Sequence, residues 1–330
     1  MRLRDFGQLY LTSQINVFET IGHLSIIMCH FYLYLYVYLY FSAPSHSRHP
    51  LAILFTSFSD RPEKEFIYTN TIKNWASFLP RIQPVLFTTF KNGRIIELAK
   101  KHGWYVFPNP AINQFKMPVL KKMYLFAYKT FNASFYGFAN GDILFDEGLM
   151  RTLLKLDTHL DTIDVSLLYG MRRNYNISRT TNYTLTPIWP QKQVSVLAHP
   201  KHSEVFRPEK GDAMDYFFVT QYYPFEYLLP LVISRQGFDT YFVTMSNLLN
   251  LTTIDGTGSV MAVHQTDGDG TMAHLSIQRE ADRDYNIFLM GHDFEFTEGY
   301  ARDSRYSTQI QRNGEVMLKC LRCQQKRDLF

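Results

Sequence analysis

The run FYGFANGDILF, residues 135 to 145, carries Asn140, Gly141 and Asp142 between two apolar arms. An ionised carboxylate in apolar surroundings is costly unless it is paired, hydrogen-bonded or bound to a metal. Asp142 therefore demands a partner. Asn-Gly between hydrophobic runs is also a strong hairpin signal, because a type I′ turn needs positive φ at both central residues. On that reading Asp142 is solvated beside a turn. Half-exposed hairpin arms alternate apolar and polar residues, however, whereas these arms are almost wholly apolar, like a strand covered on both faces. A carboxylate leaving a covered strand can point into a ligand crevice.

Other residues with usable chemistry are scattered along the chain. Lys121 and Lys122 precede Asp142 by about twenty residues, and Arg172 and Arg173 follow the run DVSLLYG. SVMAVHQTDGDG offers His264 and a second acidic motif, Asp267-Gly268-Asp269; Asp215 opens DYFFVT, and Glu226 lies in YYPFEYLL. Each has a plainer reading. Paired lysines or arginines are often surface charge, a histidine in an apolar strand is often a hydrogen-bonded core residue, and acidic residues opening strands are often caps. Asp-Gly-Asp-Gly has the composition of a loop. Cys320 and Cys323 form a lone C-x-x-C, too few ligands for a zinc site, so a small disulfide or two free thiols is expected.

The elements that must position these residues alternate in type. LAILFTSF (51–58), VLFTT (85–89) and WYVFP (104–108) read as strands. Between them lie a helix opened by Asp60 and Pro62 and reaching Ser77, and a helix GRIIELAKKHG stopped by Gly103. Pro118 opens PVLKKMYLFAYKTF, whose Leu120, Met123, Tyr124, Phe126, Ala127 and Phe131 form one apolar helical face. After FYGFANGDILF come a helix in EGLMRTLLKL and a strand in DVSLLYG. The later strand candidates are 194–198, 215–220, 239–244 and 259–265, with a helix in PFEYLLPLVISRQG ending at Gly237. The alternation predicts an α/β fold with a mainly parallel sheet flanked by helices, whose ligands bind beyond the carboxyl ends of the strands.

The 330 residues are 46% hydrophobic and 19% charged, a globular composition, and the formal charge of +4 is too small and dispersed for a nucleic-acid footprint. No nucleic-acid partner is expected. Residues 20–47 contain no Asp, Glu, Lys or Arg. Leu24–Phe41 would extend about 27 Å as a helix, close to the ~30 Å hydrocarbon thickness. Tyrosines alternating from Tyr32 to Tyr40 fit a strand instead, but the length of the uncharged run favours a membrane span. The expected organisation is a short tail (1–23), a single signal-anchor helix (24–41), a short stem (42–50) and a body (51–330) with a polar, loosely packed tail after 300. Flanking Lys and Arg leave orientation open. Sequons at Asn132, Asn176, Asn182 and Asn250 tilt it toward a lumenal body.

Taken together, the N-terminal anchor, the α/β half, the Lys-bearing helix and a strand ending in Asn140-Gly141-Asp142 resemble nucleotide-sugar glycosyltransferases of the GT-A fold. The likeness spans roughly residues 51–295, with Asn-Gly-Asp standing where that family usually has Asp-x-Asp. It implies a donor half (51–175) and an acceptor half (176–300), and transfer of a sugar from a nucleotide donor to a hydroxyl of a glycan, glycoprotein or glycolipid. A Golgi or endoplasmic reticulum location follows from the same likeness. A divalent cation, Mn²⁺ or Mg²⁺, would stabilise the leaving diphosphate. The resemblance implies Asp142, Asn140 and His264 as metal residues. Thr56, Ser57, Lys121 or Lys122, Asn140, Gly141, Asp142 and Arg172 become donor contacts, Gly141 letting the backbone come close. For an inverting transfer Asp215, then Glu226, would take the acceptor proton. Loss of the first motif carboxylate leaves open a non-catalytic lumenal binding or scaffold protein on the same fold. A dehydrogenase is disfavoured, since LFTSFSDRP stands where G-x-G-x-x-G would follow the first strand.

Overall fold

The computed structural model describes residues 49–59, 61–89, 93–159, 165–176, 185–186, 190–201, 203–205, 213–266, 284–291 and 293–322. The chain divides into two compact units, Met1–His49 and Pro50–Phe330. The expected membrane span Leu24–Phe41, with its preceding tail and nearly all of the stem, lies outside the described residues. Among the described residues no helix is long and apolar enough to cross a membrane.

In the second unit the strands are β1 (Ala52–Ser57), β2 (Ile82–Thr88), β3 (Tyr105–Pro108), β4 (Phe135–Ala139), β5 (Ile143–Phe145), β6 (Val165–Asn176), β7 (Glu204–Val205), β8 (Met214–Thr220), β9 (Thr252–Asp255), β10 (Ala262–Thr266), β11 (Tyr306–Ile310) and β12 (Val316–Cys320). The helices are α1 (Glu65–Ala76), α2 (Gly93–Lys101), α3 (Leu120–Thr130), α4 (Gly148–Asp157), α5 (Pro190–Leu197), α6 (Phe238–Leu248) and α7 (Tyr285–Met290). The main sheet has the order β12-β11-β9-β6-β8-β4-β1-β2-β3, with β10 pairing β5 and β6 beside it.

Period-two sorting explains why the central strands lack polar alternation. Ala52, Leu54, Phe135, Ala139 and Phe218 face a core shared with Ile72 and Trp75 of α1 and Leu149 and Leu153 of α4. Their neighbours Ile53, Phe55, Tyr136, Phe138 and Phe217 face a second core with Met123 and Tyr124 of α3 and Phe242 of α6. Both faces are covered by helices, so both must be apolar.

The sheet is mixed but mainly parallel, since β11–β9, β9–β6, β4–β1, β1–β2 and β2–β3 all pair in parallel. Parallel pairing unites β3, β2, β1 and β4, but β8 runs antiparallel between β4 and β6. β4 and β5 do not form a hairpin. β5 leaves the turn to pair with β10 instead.

Three expected elements differ. VSVLA (194–198) falls almost wholly within helix α5, burying Val194 and Leu197 at helical spacing and exposing Val196. DTYFVT (239–244) lies in helix α6, preceded by Gly237 at φ +87°. There Phe238, Tyr241 and Phe242 are all buried, and packing at spacing i, i+3, i+4 overrides the strand preference of the residues. PFEYLLPLVISRQG is not a helix: after one 3₁₀ turn, Phe225–Tyr227, Pro230 blocks continuation, and Leu231 accepts the N–H of Leu120. The polar tail is also structured, because β11 and β12 form an antiparallel pair alongside β9. Cys320 is disulfide-bonded, and Cys323 lies outside the described residues.

Candidate active site

The turn that carries Asp142 sits at the carboxyl end of β4. Ile143 N–H donates to Asn140 O at 3.1 Å, which closes it. Its backbone is tied on three sides: Asn140 N–H donates to Asp215 O, Gln265 N–H to Asp142 O, and Thr71 Oγ1 to Gly141 O at 2.8 Å. Helix α1 then clamps the outgoing strand, with Asn74 Nδ2 donating to Phe145 O, Asn74 Oδ1 accepting from Phe145 N–H, and Trp75 Nε1 donating to Ile143 O. Satisfying these backbone groups removes the cost of burying an irregular segment and fixes where the carboxylate points. Gly141 also serves packing. A Cβ there would lie 2.6 Å from the Phe58 ring, which stacks on Tyr68 at 4.3 Å.

Asp142 Oδ2 lies 3.1 Å from His264 Nε2, and Asp142 Oδ1 is buried with no hydrogen-bond partner. Burial pushes this carboxyl up, but the charge and hydrogen bond of His264, then Arg172, outweigh it and hold Asp142 below the usual aspartate value. The ionised form is favoured although one oxygen has no donor. Burial, with Asp142's charge adding to it, pushes nearby Tyr68 up to about 12. His264 Nδ1 is 3.2 Å from Asn174 Oδ1.

These residues fit a divalent cation. Two ligand atoms bound at about 2.1 Å and right angles are about 3.0 Å apart, close to the observed 3.1 Å. A mixed carboxylate and imidazole pair suits Mn²⁺ better than Mg²⁺, which prefers oxygen alone. No group of three or more His, Cys, Asp or Glu converges among the described residues, so water and a ligand's oxygens would complete the coordination. Asn140 Nδ2 donates to Asp215 Oδ1 at 2.7 Å.

Asp215 is 6% exposed, and its other oxygen accepts from Arg172 Nη1. With both oxygens engaged it suits positioning rather than proton abstraction. Burial alone would lower Arg172, but Asp215 first, then Asp142 and Asp239, hold the guanidinium charged and above its ordinary value. Asp239, half-buried in the first turn of α6, therefore belongs to the same electrostatic group.

The remaining candidates divide. Thr56 is fully buried with Oγ1 unpartnered, 3.5 Å from where a Gly141 Cβ would stand, and half-buried Ser57 ends the same strand. Lys121 does not reach the cluster; its Nζ donates to Glu226 O and Leu228 O, fastening that loop to α3. Lys122 and Glu226 are exposed, and no described hydrogen bond joins either to Asp142, Arg172, Asp215 or His264. Arg173 turns away to Ser203. Asp267-Gly268-Asp269 lies outside the described residues.

Sequence reasoning missed Asn70, Thr71, Asn174, Gln265 and Asp239. Asn70 Nδ2 donates to Gln265 Oε1, and Gln265 Nε2 donates to Thr71 Oγ1. The available signal was polar Asn70, Thr71 and Asn74 recurring on the face of α1 that also buries Ile67 and Trp75.

No protein-family model and no curated protein matches the chain. Among solved structures, it is similar to glucosyl-3-phosphoglycerate synthase from Mycobacterium tuberculosis in complex with Mn²⁺, uridine diphosphate and phosphoglyceric acid, at TM-score 0.42 and 10% identity, over 84% of this chain and 88% of that one. It is also similar to a cytidylyltransferase from Leptospira borgpetersenii serovar Hardjo-bovis, at TM-score 0.35 and 14% identity, over 76% and 92% of the two chains.

Proposed function

We propose that this chain is a cation-assisted glycosyltransferase moving a sugar from a nucleotide-diphosphate donor to a hydroxyl of a glycan, glycoprotein or glycolipid. The observation that carries the reading is the pair Asp142 and His264 at 3.1 Å, with the second carboxylate oxygen buried and unpartnered. An ionised carboxylate there repels a diphosphate unless a cation lies between them. When bound, such a cation would neutralise charge gathering on the leaving diphosphate.

The chain's own residues do the rest. Asp142 and His264 bind, with Asn174 orienting the imidazole. Arg172, steadied by Asp215, supplies fixed positive charge beside the leaving group. Asp239, whose charge acts on Arg172, is the carboxylate assigned to the acceptor proton. The charge-free run 24–41 and the sequons after it support a single-pass protein with a lumenal body in the Golgi or endoplasmic reticulum.

Calorimetric titration of the full chain with UDP and GDP, with and without Mn²⁺, tests the reading. One nucleotide should bind only with Mn²⁺, and Asp142→Ala should abolish that binding. Failure of both nucleotides to bind under every condition would remove the enzyme reading, and binding without turnover of any donor would favour a non-catalytic module.

A further inference from the structure

Gln265 places an amide where the surrounding core would accept an apolar side chain. It is 2% exposed and follows His264 directly in β10. Side chains two residues apart share one face of a strand, and Val263, on the same face, packs with Leu144, Leu185 and Val194 in a small apolar cluster. A methionine at 265 would extend that cluster and need no hydrogen bond. A buried amide costs free energy unless its polar atoms are partnered, so its partners show what it is for.

Those partners converge on the turn that carries Asp142. Gln265 Nε2 donates to Thr71 Oγ1 at 3.2 Å and toward the carbonyls of Ile67 and Asp142, each at 3.3 Å. Its Oε1 accepts from Asn70 Nδ2 at 3.0 Å. The backbone N–H of the same residue donates to Asp142 O at 3.0 Å, so one residue holds that carbonyl twice. Thr71 Oγ1 extends the chain of bonds by donating to Gly141 O at 2.8 Å. Asn70 anchors its other end, accepting the Leu185 N–H at 2.9 Å. Displacing Gln265 therefore moves His264 through the peptide chain and Asp142 through its carbonyl.

We propose that Gln265 is a positioning residue whose side chain sets the separation of the Asp142 carboxylate and the His264 imidazole, and through it the affinity for a divalent cation. The inference rests on the cation reading given under the proposed function. Gln265 acts through its neighbours, because a side chain this buried does not itself reach a ligand. Partners of metal-binding side chains hold them in the geometry the ion requires, and losing one such partner typically weakens metal binding tenfold to a hundredfold. Without the amide, the irregular segment 140–142 loses the side-chain bond to Asp142 O and the support behind Thr71.

Mn²⁺ titrated into the full chain, alone and with UDP or GDP, and followed by water-proton relaxation, tests the assignment. Gln265→Met keeps a similar length and removes the amide; it should weaken Mn²⁺ binding by about 10-fold to 100-fold. Thr71→Val removes the bond to Gly141 O and should act in the same direction. The double variant should lose less than the product of the two losses, since both act through one chain of bonds. Val263→Ala removes packing from the same strand face and none of these bonds, so it should lower the melting temperature and leave Mn²⁺ affinity unchanged. Should Gln265→Met not fold, Thr71→Val against Val263→Ala carries the comparison. Wild-type Mn²⁺ affinity in the Gln265 and Thr71 variants would overturn the inference and leave the cation reading standing. An equal loss of affinity in Val263→Ala would overturn it too, reducing Gln265 to a packing residue. Absence of Mn²⁺ binding by the wild type under every condition would remove the cation reading and this inference with it.

Discussion

Asp142 and His264 lie 122 residues apart in sequence, yet their side chains meet at 3.1 Å while the other carboxylate oxygen is buried without a donor. Asp142→Asn keeps the shape and removes the charge. Mn²⁺-dependent nucleotide binding should be lost, and transfer should fall by about 10²–10³, the usual cost of deleting one electrostatic stabiliser. Isothermal calorimetry and a donor-turnover assay measure the two effects. A variant that keeps both Mn²⁺ dependence and rate would remove Asp142 from the site.

Asp215 holds Arg172 and Asn140 together from the first residues of β8. Asp215→Ala removes the ion-pair partner of Arg172, a residue only 9% exposed, so stability should drop by about 3–5 kcal/mol, read from urea unfolding. Asp215→Asn should lose less, because the amide still accepts one hydrogen bond. Were Asp215 the base, the asparagine variant would be inactive with unchanged stability, and the two measurements together distinguish the roles.

The framework of residues 51–150 was legible because its strands carry uninterrupted apolar runs and its helices carry clean stops such as Gly103 at φ +80°. The later half misled where aromatic and β-branched residues serve a helix. Phe238, Tyr241, Phe242 and Val243 read as a strand until the core that receives them is known. Asp142, Arg172, Asp215 and His264 were identifiable by residue type, Asp142 and Asp215 also by position at or beside a strand end. Their division of labour was not, since only the fold shows that Asn140 bonds Asp215 and that Lys121 caps distant carbonyls. Asn70 and Gln265, 195 residues apart, had no local signal at all.

Gly137 lets β8 press against β4. A Cβ at that position would sit 2.3 Å from two atoms of the Phe218 ring, and Phe218 is fully buried. Gly137→Ala should therefore cost about 1–3 kcal/mol, the range for overpacking a close-packed core. Phe218→Leu in the same chain should restore part of it, a coupling that a double-mutant cycle measures. Strictly additive losses would show that the ring moves aside freely.

Asp146 is buried near the start of α4, where Oδ1 accepts the N–H groups of Gly148 and Met261, and Oδ2 accepts from Ser195 Oγ. Burial outweighs those bonds and raises this carboxyl above the ordinary aspartate value. The folded state then holds the proton more tightly than the unfolded state. Its contribution to stability is fully present below the unfolded pKa and is lost as pH rises through the folded one. Asp146→Asn keeps an oxygen for Gly148 and Met261 and cannot ionise. The variant should gain stability over wild type as pH rises from about 4 toward neutrality, and the gain should vanish below the unfolded pKa. Thermal melts across that range measure the crossing; parallel curves for the two proteins would refute it.

Asp239 stands at the opening of α6, half-buried, with Oδ1 accepting the Thr240 N–H at 2.9 Å and its charge acting on Arg172. A carboxylate that receives the acceptor proton needs a nearby positive group to keep it ionised, and Arg172 is one. Asp239→Asn preserves the bond to Thr240 and the start of the helix while removing the base. Transfer should fall by about 10²–10⁴, whereas Mn²⁺-dependent nucleotide affinity and the melting temperature should hold within error. Donor hydrolysis by water should fall less than transfer to an added acceptor, because the lost group acts on the acceptor hydroxyl. Loss of nucleotide binding in this variant would instead assign Asp239 to the donor side of the cleft, through Arg172.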